Sequence, residues 1–354
     1  MPSRSVTIID VARRAGVSKT TASDALSGAG RVSEATRARI MATAAAIGYT
    51  PNTAARHLRR STVGALGLYM PRQVLGMTFY MDFAFGAAER ARESHLDLTL
   101  LAPDPLADRL PQLRVDGLVI VDPLTNDPVT AKLLAADLPV VTVGKYRGAG
   151  PAAAGVLNAD HAAMVDRLLD HLASAGASTP GLIAQDADFQ ADWAALVLDA
   201  YYQWCRRRRS APQVRTVAAD ATPEEVDRAV RALMKQEPSI DAVVCAPDGT
   251  ALRALGTLRS IGRRVGDDVL LASCVGSPSL ELCDPPITAI DLRPRQYGSG
   301  AVELLIEILA ATAEPPTERL HTADLLVRAS TSPPTAASRR PAVPHPGPTG
   351  TGRL

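Results

Sequence analysis

Apolar residues recur along this chain with two different periods, and the change falls near residue 60. In the head, Ile8, Val11, Ala12 and Ala15 follow the i, i+3, i+4, i+7 spacing of an amphipathic helix. Thr7 stands where a hydroxyl caps such a helix, and Gly16 follows as a residue that tolerates a left-handed exit. Val17 packs the turn. Ser18 then caps a second helix over residues 19–26, with Lys19, Thr20 and Asp24 outward and Ala22 and Leu26 inward. A third helix, opened by Ser33 with Thr36 in its first turn, carries Ile40, Ala44 and Ile47 inward and ends at Gly48. Helix, tight glycine turn and helix make a helix-turn-helix, whose second helix can lie in the major groove of DNA. A plain helical bundle would share the apolar pattern, but not the short polar side chains along the second helix.

From residue 63 the pattern becomes short, wholly apolar runs separated by longer helical stretches. Strands are predicted over 64–70, 96–102, 117–122, 139–144, 155–158, 181–184, 214–218, 242–246, 269–274 and 288–290. Helices are predicted over 81–93, 129–136, 161–175, 191–207, 223–235, 250–261 and 295–311. Such alternation means parallel sheets covered by helices on both faces. Ten strands are many for one open sheet, so two α/β lobes are expected, the second starting near Ala159. Ligands of such folds bind outside the carboxyl ends of the strands, here in a cleft between lobes. Residues 332–354 have no period and hold six prolines among Gly, Ser and Thr, which predicts a disordered tail.

Charge sharpens this division. The whole chain has 38 Lys and Arg against 37 Asp and Glu, a formal +1. Residues 1–62, however, hold ten basic side chains and three acidic ones, a net +7 that leaves −6 for the rest. A basic head on an acidic body is the footprint of a polyanion-binding module. A chain that is 46% hydrophobic and 21% charged is not disordered. No run approaches the roughly 18 apolar residues of a membrane span. No apolar signal core opens the sequence, so a cytoplasmic, nucleoid-associated protein with no membrane partner is expected. Cys205, Cys245, Cys274 and Cys283 form no C-x-x-C pair and read as small, mostly buried residues. The six histidines lack ligand spacing, and the nucleophile-elbow, Walker, H-E-x-x-H and G-x-G-x-x-G patterns are missing. No metal, no cofactor and no enzyme chemistry are therefore expected.

The head resembles the lactose-repressor (LacI/GalR) family of bacterial transcription factors. The resemblance is carried by Thr7-Ile8-Ile9-Asp10-Val11-Ala12, Ala15-Gly16-Val17-Ser18, Thr20-Thr21-Ala22-Ser23, Val32-Ser33 and Thr36-Arg37, then by Gly48-Tyr49-Thr50-Pro51-Asn52, Ala54-Ala55-Arg56 and Leu58. It implies that Ser18, Lys19, Thr20, Thr21 and Ser23 meet bases and phosphates. It also implies that Thr7, Ser33, Thr36, Tyr49 and Asn52 contact phosphates. Residues 52–60 match the family's hinge helix, and Leu58 its minor-groove wedge; Arg31, Ala55, Arg56 and Arg59 complete the candidate DNA-binding set. Hydroxyls and amides at helix starts donate to phosphates and fix register. An apolar wedge costs a few kcal/mol of unstacking, offset by the contacts that the bend admits. A hinge shorter than roughly 12–15 residues is not stable alone, so it should fold on DNA. Asp24 departs from the family pattern: its carboxylate can accept from cytosine N4 or repel phosphate.

The body resembles the same family's two-lobed, periplasmic-binding-protein-like effector domain. The matches are Phe79, Phe83 and Gly86-Ala87-Ala88-Glu89, then Val115-Asp116-Gly117-Leu118-Val119, Pro139-Val140-Val141, Ala246 with Asp248, Pro286-Ile287-Thr288-Ala289-Ile290 and Leu326-Val327-Arg328-Ala329-Ser330-Thr331. Its pocket positions depart from the family: Val197 replaces an Arg, Pro247 an Asn, Cys274 an acid and Asn158 an Asp. Unpaired buried polar groups cost about 1–3 kcal/mol each, so these losses argue against a simple hexose. Phe79, Tyr80, Asn158, Trp193, Asp248 and Cys274 are the candidate effector-binding residues.

The expected architecture is α/β: a helix-turn-helix headpiece over 1–50, a hinge helix and linker over 51–62, a two-lobed effector-binding and dimerisation domain of parallel sheets flanked by helices over 63–331, and a tail over 332–354. The expected function is a homodimeric repressor that binds palindromic double-stranded operator DNA and answers to a small-molecule effector. A member that has lost effector control, and a cytoplasmic binding protein or enzyme with an incidental head, are the alternatives. Leu58→Ala should weaken operator binding while dimerisation and fold persist. Arg59→Ala should lower affinity on every sequence and flatten its salt dependence. Unchanged affinity in the first, or an unchanged salt slope in the second, would remove those assignments.

Overall fold

The computed structural model describes residues 6–27, 30, 32–49, 62–72, 77–102 and 113–332. Arg31, Asn52, Ala55, Arg56, Leu58 and Arg59, with the rest of the hinge through residue 61 and the tail beyond 332, lie outside the described residues. The chain divides into two compact units, residues 1–64 and 65–354.

The first unit is three helices, α1 (Ile8–Ala15), α2 (Lys19–Ser27) and α3 (Glu34–Ala46). Their shared core is small: Val11, Ala12, Ala15, Ala22, Ala25, Ile40 and Ala44 are buried, with Ile8, Val17, Leu26 and Tyr49 packed against them. Ala25 thus joins the inward positions, while Leu26 is only half-buried. Small residues at the crossings let three short helices approach closely enough to exclude water. Local caps fix their ends. Thr7 donates to Asp10 Oδ2 through both its backbone N–H (3.0 Å) and its hydroxyl (2.7 Å). Gly16 takes φ +66°, and the Val17 N–H reaches back to the Ala12 carbonyl at 3.0 Å, closing α1.

The second unit holds two six-stranded sheets. The first runs β2 (Asp97–Leu101), β1 (Ala65–Tyr69), β3 (Gly117–Val121), β4 (Val140–Val143), β5 (Gly155–Ala159) and β11 (Thr317–His321), all parallel. The second runs β7 (Gln213–Val217), β6 (Pro180–Gln185), β8 (Ala242–Cys245), β9 (Leu270–Ser273), β10 (Thr288–Asp291) and β12 (Asp324–Leu326). Only β12 is antiparallel to its neighbour. Helices α4 (Thr78–Glu93), α5 (Pro128–Leu134) and α11 (Pro294–Leu309) cover the first sheet. Helices α6 (His161–Ser174), α7 (Asp192–Arg208), α8 (Pro223–Gln236), α9 (Thr250–Ser260) and α10 (Pro278–Glu281) belong to the second.

The chain passes between lobes three times: after β5, between β10 and α11, and between β11 and β12. The expected change of lobe near Ala159 is where the first passage occurs. The two returns were not expected, because β11 and β12 carry no apolar run. They are edge strands of half-exposed, alternating residues such as Thr317-Glu318-Arg319-Leu320-His321. Edge strands need only one apolar face, and charge on the other deters pairing with foreign chains.

The closest packing in the first lobe joins α4 to α11. A Cβ at Gly86 would overlap the Arg295 carbonyl, and one at Gly298 would overlap the Phe83 carbonyl. Only glycine permits that approach of two helix backbones. At the other end of the body, the chain's last described residues are pinned to the second sheet. Ser330 donates to the Leu271 carbonyl at 2.6 Å and accepts the Thr288 N–H at 2.8 Å; Thr331 joins the Thr288 hydroxyl (2.6 Å) to the His171 ring (2.7 Å). Gly298→Ala should force α4 and α11 apart and lower stability by about 1–3 kcal/mol or more. Gly256→Ala, where nothing lies within 4 Å of a new Cβ, is the control. Equal melting temperatures for the two variants would contradict the close-packing account.

Candidate nucleic-acid interface and interlobe cleft

The second helix of the head presents polar groups at its start. Lys19 and Thr20 are exposed and make no hydrogen bond among the described residues. Ser18 caps α2 by accepting the Thr21 N–H at 3.0 Å, and the two hydroxyls pair at 2.8 Å. Ser33 and Thr36 repeat this at α3: the Thr36 N–H meets Ser33 Oγ at 3.4 Å, and the Ser33 hydroxyl donates to Thr36 at 2.8 Å. Several candidate DNA-contacting hydroxyls, Thr7 included, thus already hold helix ends. A phosphate there would have to share or displace these local bonds. Ser23 is half-buried on α2, and Tyr49 packs on the head core with its N–H on the Ala44 carbonyl at 2.9 Å. Asp24 lies against Gly30, where an added Cβ would meet its carboxylate at 2.8 Å. Gly30 takes φ +78°, a conformation that glycine adopts without strain.

In the body, the carboxyl ends of both sheets face one cleft. All six candidates, Phe79, Tyr80, Asn158, Trp193, Asp248 and Cys274, line it, and the space between them is narrow, about 50 Å³. Phe79 and Tyr80 come from the first turn of α4, Asn158 from β5, Trp193 from α7, and Asp248 and Cys274 from the ends of β8 and β9. The sequence reading missed Asp122, His161, Gln185, Phe189, Asp192 and Tyr297, which also line the cleft. Asp122 and Gln185 each stand at the end of an apolar strand, a position that strand-end geometry alone could have singled out. Tyr297 gave no such signal, since α11 reaches this wall only through the second passage between lobes. The cleft is thus richer in polar side chains than the family departures suggested.

Three sets of contacts bridge the lobes. Arg147 pairs with the buried Asp192, and the Phe79 N–H donates to Asp248 Oδ2 at 3.4 Å. The Asn126 amide donates to the Asp188 carbonyl at 2.9 Å, and the Thr125 N–H to the Gln190 carbonyl at 3.3 Å. The aromatic walls are built in pairs: Phe79 meets Tyr80 edge-on with centroids 5.0 Å apart, and Phe189 tilts on Trp193 at 5.8 Å. Tyr297 stacks on His321 at 4.1 Å, beside the hinge strands.

Burial governs the protonation of this site. Tyr80 donates to Asp122 Oδ2 at 2.6 Å. Asp122 is nevertheless raised to about 7, because burial, helped by the nearby Asp192 charge, outweighs that hydrogen bond. Burial also raises Asp248, against backbone donors from Phe79 and Gly249. His161 is pushed down to about 4 by burial, with Asp192 and Asp160 acting the other way. The imidazole is therefore neutral near neutral pH. The thiols of Cys245 and Cys274 are raised by burial to about 12, which leaves them unreactive. The described residues contain no group of His, Cys, Asp and Glu that could hold a metal ion, and no helix long and apolar enough to cross a membrane.

The chain matches the family model for bacterial regulatory proteins of the lacI family over residues 7–52. It matches the periplasmic binding protein-like domain over residues 169–331. It is 26% identical to the HTH-type transcriptional regulator CelR of Thermobifida fusca, over 92% of this chain and 98% of that one. It is 29% identical to AglR of Rhizobium meliloti, over 97% and 98%. A lac repressor dimer bound to operator and an anti-inducer superposes with a TM-score of 0.72 at 22% identity, over 93% of this chain and 99% of that one. A CelR–cellobiose complex superposes at 0.64 and 23% identity, over 92% and 99%. At such identities the superpositions show the fold.

Protonation of Asp122 is favoured by folding, so its stabilising effect is complete below about pH 4 and is lost as pH rises to about 7. Asp122→Asn keeps an acceptor for Tyr80 without a charge. It should gain stability over the parent as pH rises from 4 to 7, by no more than about 4 kcal/mol, and hold a constant difference above that. Melting temperatures of the two proteins across this range measure it. A difference independent of pH would show that Asp122 is ionised throughout.

Proposed function

We propose a mechanism from one premise: the chain belongs to the LacI family of bacterial regulatory proteins and is a DNA-binding transcriptional regulator. In this reading it is a cytoplasmic repressor and not an enzyme. Two copies bind one palindromic operator, each laying α2 in a major groove with Lys19 and Thr20 toward the bases, while the hinge segments meet in the minor groove and Leu58 wedges between base pairs. The observation that carries the reading is the start of α2, where a glycine turn leaves Lys19 and Thr20 exposed at a capped helix N-terminus.

The body supplies control. A small molecule seated between Phe79, Trp193 and Asp248 stabilises one arrangement of the lobes, and through the hinge alters operator affinity. Arg147–Asp192 and the contacts of Thr125 and Asn126 are the bonds such a movement would make or break. A similar structure titled as a complex with cellobiose, and a relative named a ribose operon repressor, support trying sugars among the first ligands.

Selection of binding sites from random DNA should return a two-fold symmetric sequence. Thr20→Ala should relax preference at one position in each half-site, at a cost of about 1–3 kcal/mol for that base pair. An asymmetric consensus, or an unchanged preference in Thr20→Ala, would contradict the docking. A broad metabolite screen by thermal shift tests the control: no stabilising compound would favour a regulator that binds DNA without an effector.

A further inference from the structure

We propose that the interlobe cleft selects a ligand bearing a protonated amine on a compact ring. The proposal rests on the reading of this cleft as the effector site and adds the charge of the ligand to it.

Three carboxylates line the cleft, Asp122, Asp192 and Asp248, and among the described residues no Lys or Arg lines it with them. Asp192 has its counter-charge in Arg147. The other two have no basic partner among the described residues. Asp122 accepts only the neutral Tyr80 hydroxyl, and Asp248 only backbone N–H groups from Phe79 and Gly249. Asp122 accepts from Tyr80 and Asp248 from its neighbour Phe79, so both stand at the start of α4, in one corner of the cleft. A buried carboxylate without a cation is costly, and the ligand that supplies the missing charge gains the most.

Two further features point the same way. His161 lines the cleft half-buried, and its ring has no hydrogen-bond partner among the described residues. Its ring offers one donor and one acceptor to whatever occupies the space. Phe79 and Trp193 line the cleft with the acids, and aromatic rings attract both stacked rings and cations. The hydrogen-bonding inventory is unbalanced as well. Acceptors on the carboxylates exceed the donors that Asn158 and Gln185 can bring, and Gln185 already spends its amide on the Val217 carbonyl at 3.0 Å. A hydroxyl brings one donor together with acceptors; an ammonium brings three donors and no acceptor. Val197 lines the same cleft with a buried, apolar side chain.

Isothermal titration of the full-length protein with matched pairs tests the inference, at roughly pH 7–8, where an alkyl amine is charged. The pairs are cyclohexylamine with cyclohexanol, and an aminoinositol with inositol. The amine of at least one pair should bind tenfold or more tightly than its neutral partner, a difference of about 1.4 kcal/mol. In the Asp122→Asn, Asp248→Asn double variant the two members should bind alike, with the fold checked by circular dichroism. Equal or tighter binding of the neutral members overturns the charge inference and leaves the effector cleft standing. Binding of neither class at millimolar concentration overturns it too. If the metabolite screen also fails, the effector reading falls with it; if a neutral compound emerges there, only the charge inference falls.

Discussion

The body is organised around a contact between two backbones. Helices α4 and α11 touch at Gly86 and Gly298, where each helix places a carbonyl in the space a side chain would fill. One helix opens the body and the other follows the second passage between lobes, so this contact closes the first lobe from distant pieces of chain. It also sets the cleft. Phe79 and Tyr80 stand at the start of α4, and Tyr297 stands beside Gly298 on α11. The Tyr297 hydroxyl donates to the Leu157 carbonyl at 3.2 Å, while its ring stacks on His321 from the third passage. His321 in turn bonds the Leu292 carbonyl at 2.8 Å, in the second. The wall of the site and the hinge of the lobes are therefore one packed unit, and a change felt at Tyr80 or Tyr297 is felt by the strands that join the lobes.

Charge separates the roles of the two units. The head is basic, and its exposed Lys19 stands at the start of a helix, where the helix dipole adds to attraction for phosphate. The body carries most of the acids, and three of them line the cleft, Asp192 buried and Asp122 and Asp248 half-buried. Burial turns these groups into detectors. A carboxyl held near neutrality by desolvation responds strongly to whatever replaces water beside it, because the low local dielectric leaves its interactions unscreened. A cleft bridged by a few contacts, Arg147–Asp192 chief among them, can then convert occupancy into a change of lobe spacing.

Local signals in the sequence were legible and distant ones were not. The caps at Thr7, Ser18 and Ser33 act over three residues, and Gly16 acts on its own turn, so the head could be drawn from spacing alone. The ten apolar strands were equally plain: six of them, β1, β3, β4, β6, β8 and β9, are buried throughout, and a strand buried on both faces has little choice of residue. β11 and β12 escaped because an edge strand with one polar face looks like a loop. Phe79, Asn158, Asp248 and Cys274 could be placed in the cleft because they stand at the ends of readable elements. Asp192 was hidden within the start of a predicted helix, and its significance lies in Arg147, 45 residues earlier. The polar poverty inferred from Val197 and Pro247 was offset by Asp122, His161 and Gln185, which arrive from other strands and helices. Position-by-position comparison with a family could not count them. Gly86 was noticed only as part of a matching run, while its partner Gly298 carried no signal at all.

The central claim is that lobe spacing governs operator binding. A disulfide across the pair that bridges the cleft tests it directly: R147C and D192C together, in the full-length protein, with operator affinity measured oxidised and reduced. The account predicts that locking the lobes changes the variant's affinity tenfold or more, about 1.4 kcal/mol, relative to its own reduced form, and that reduction reverses the change. Equal affinity in the locked and released forms, with the disulfide verified by mass, would contradict it.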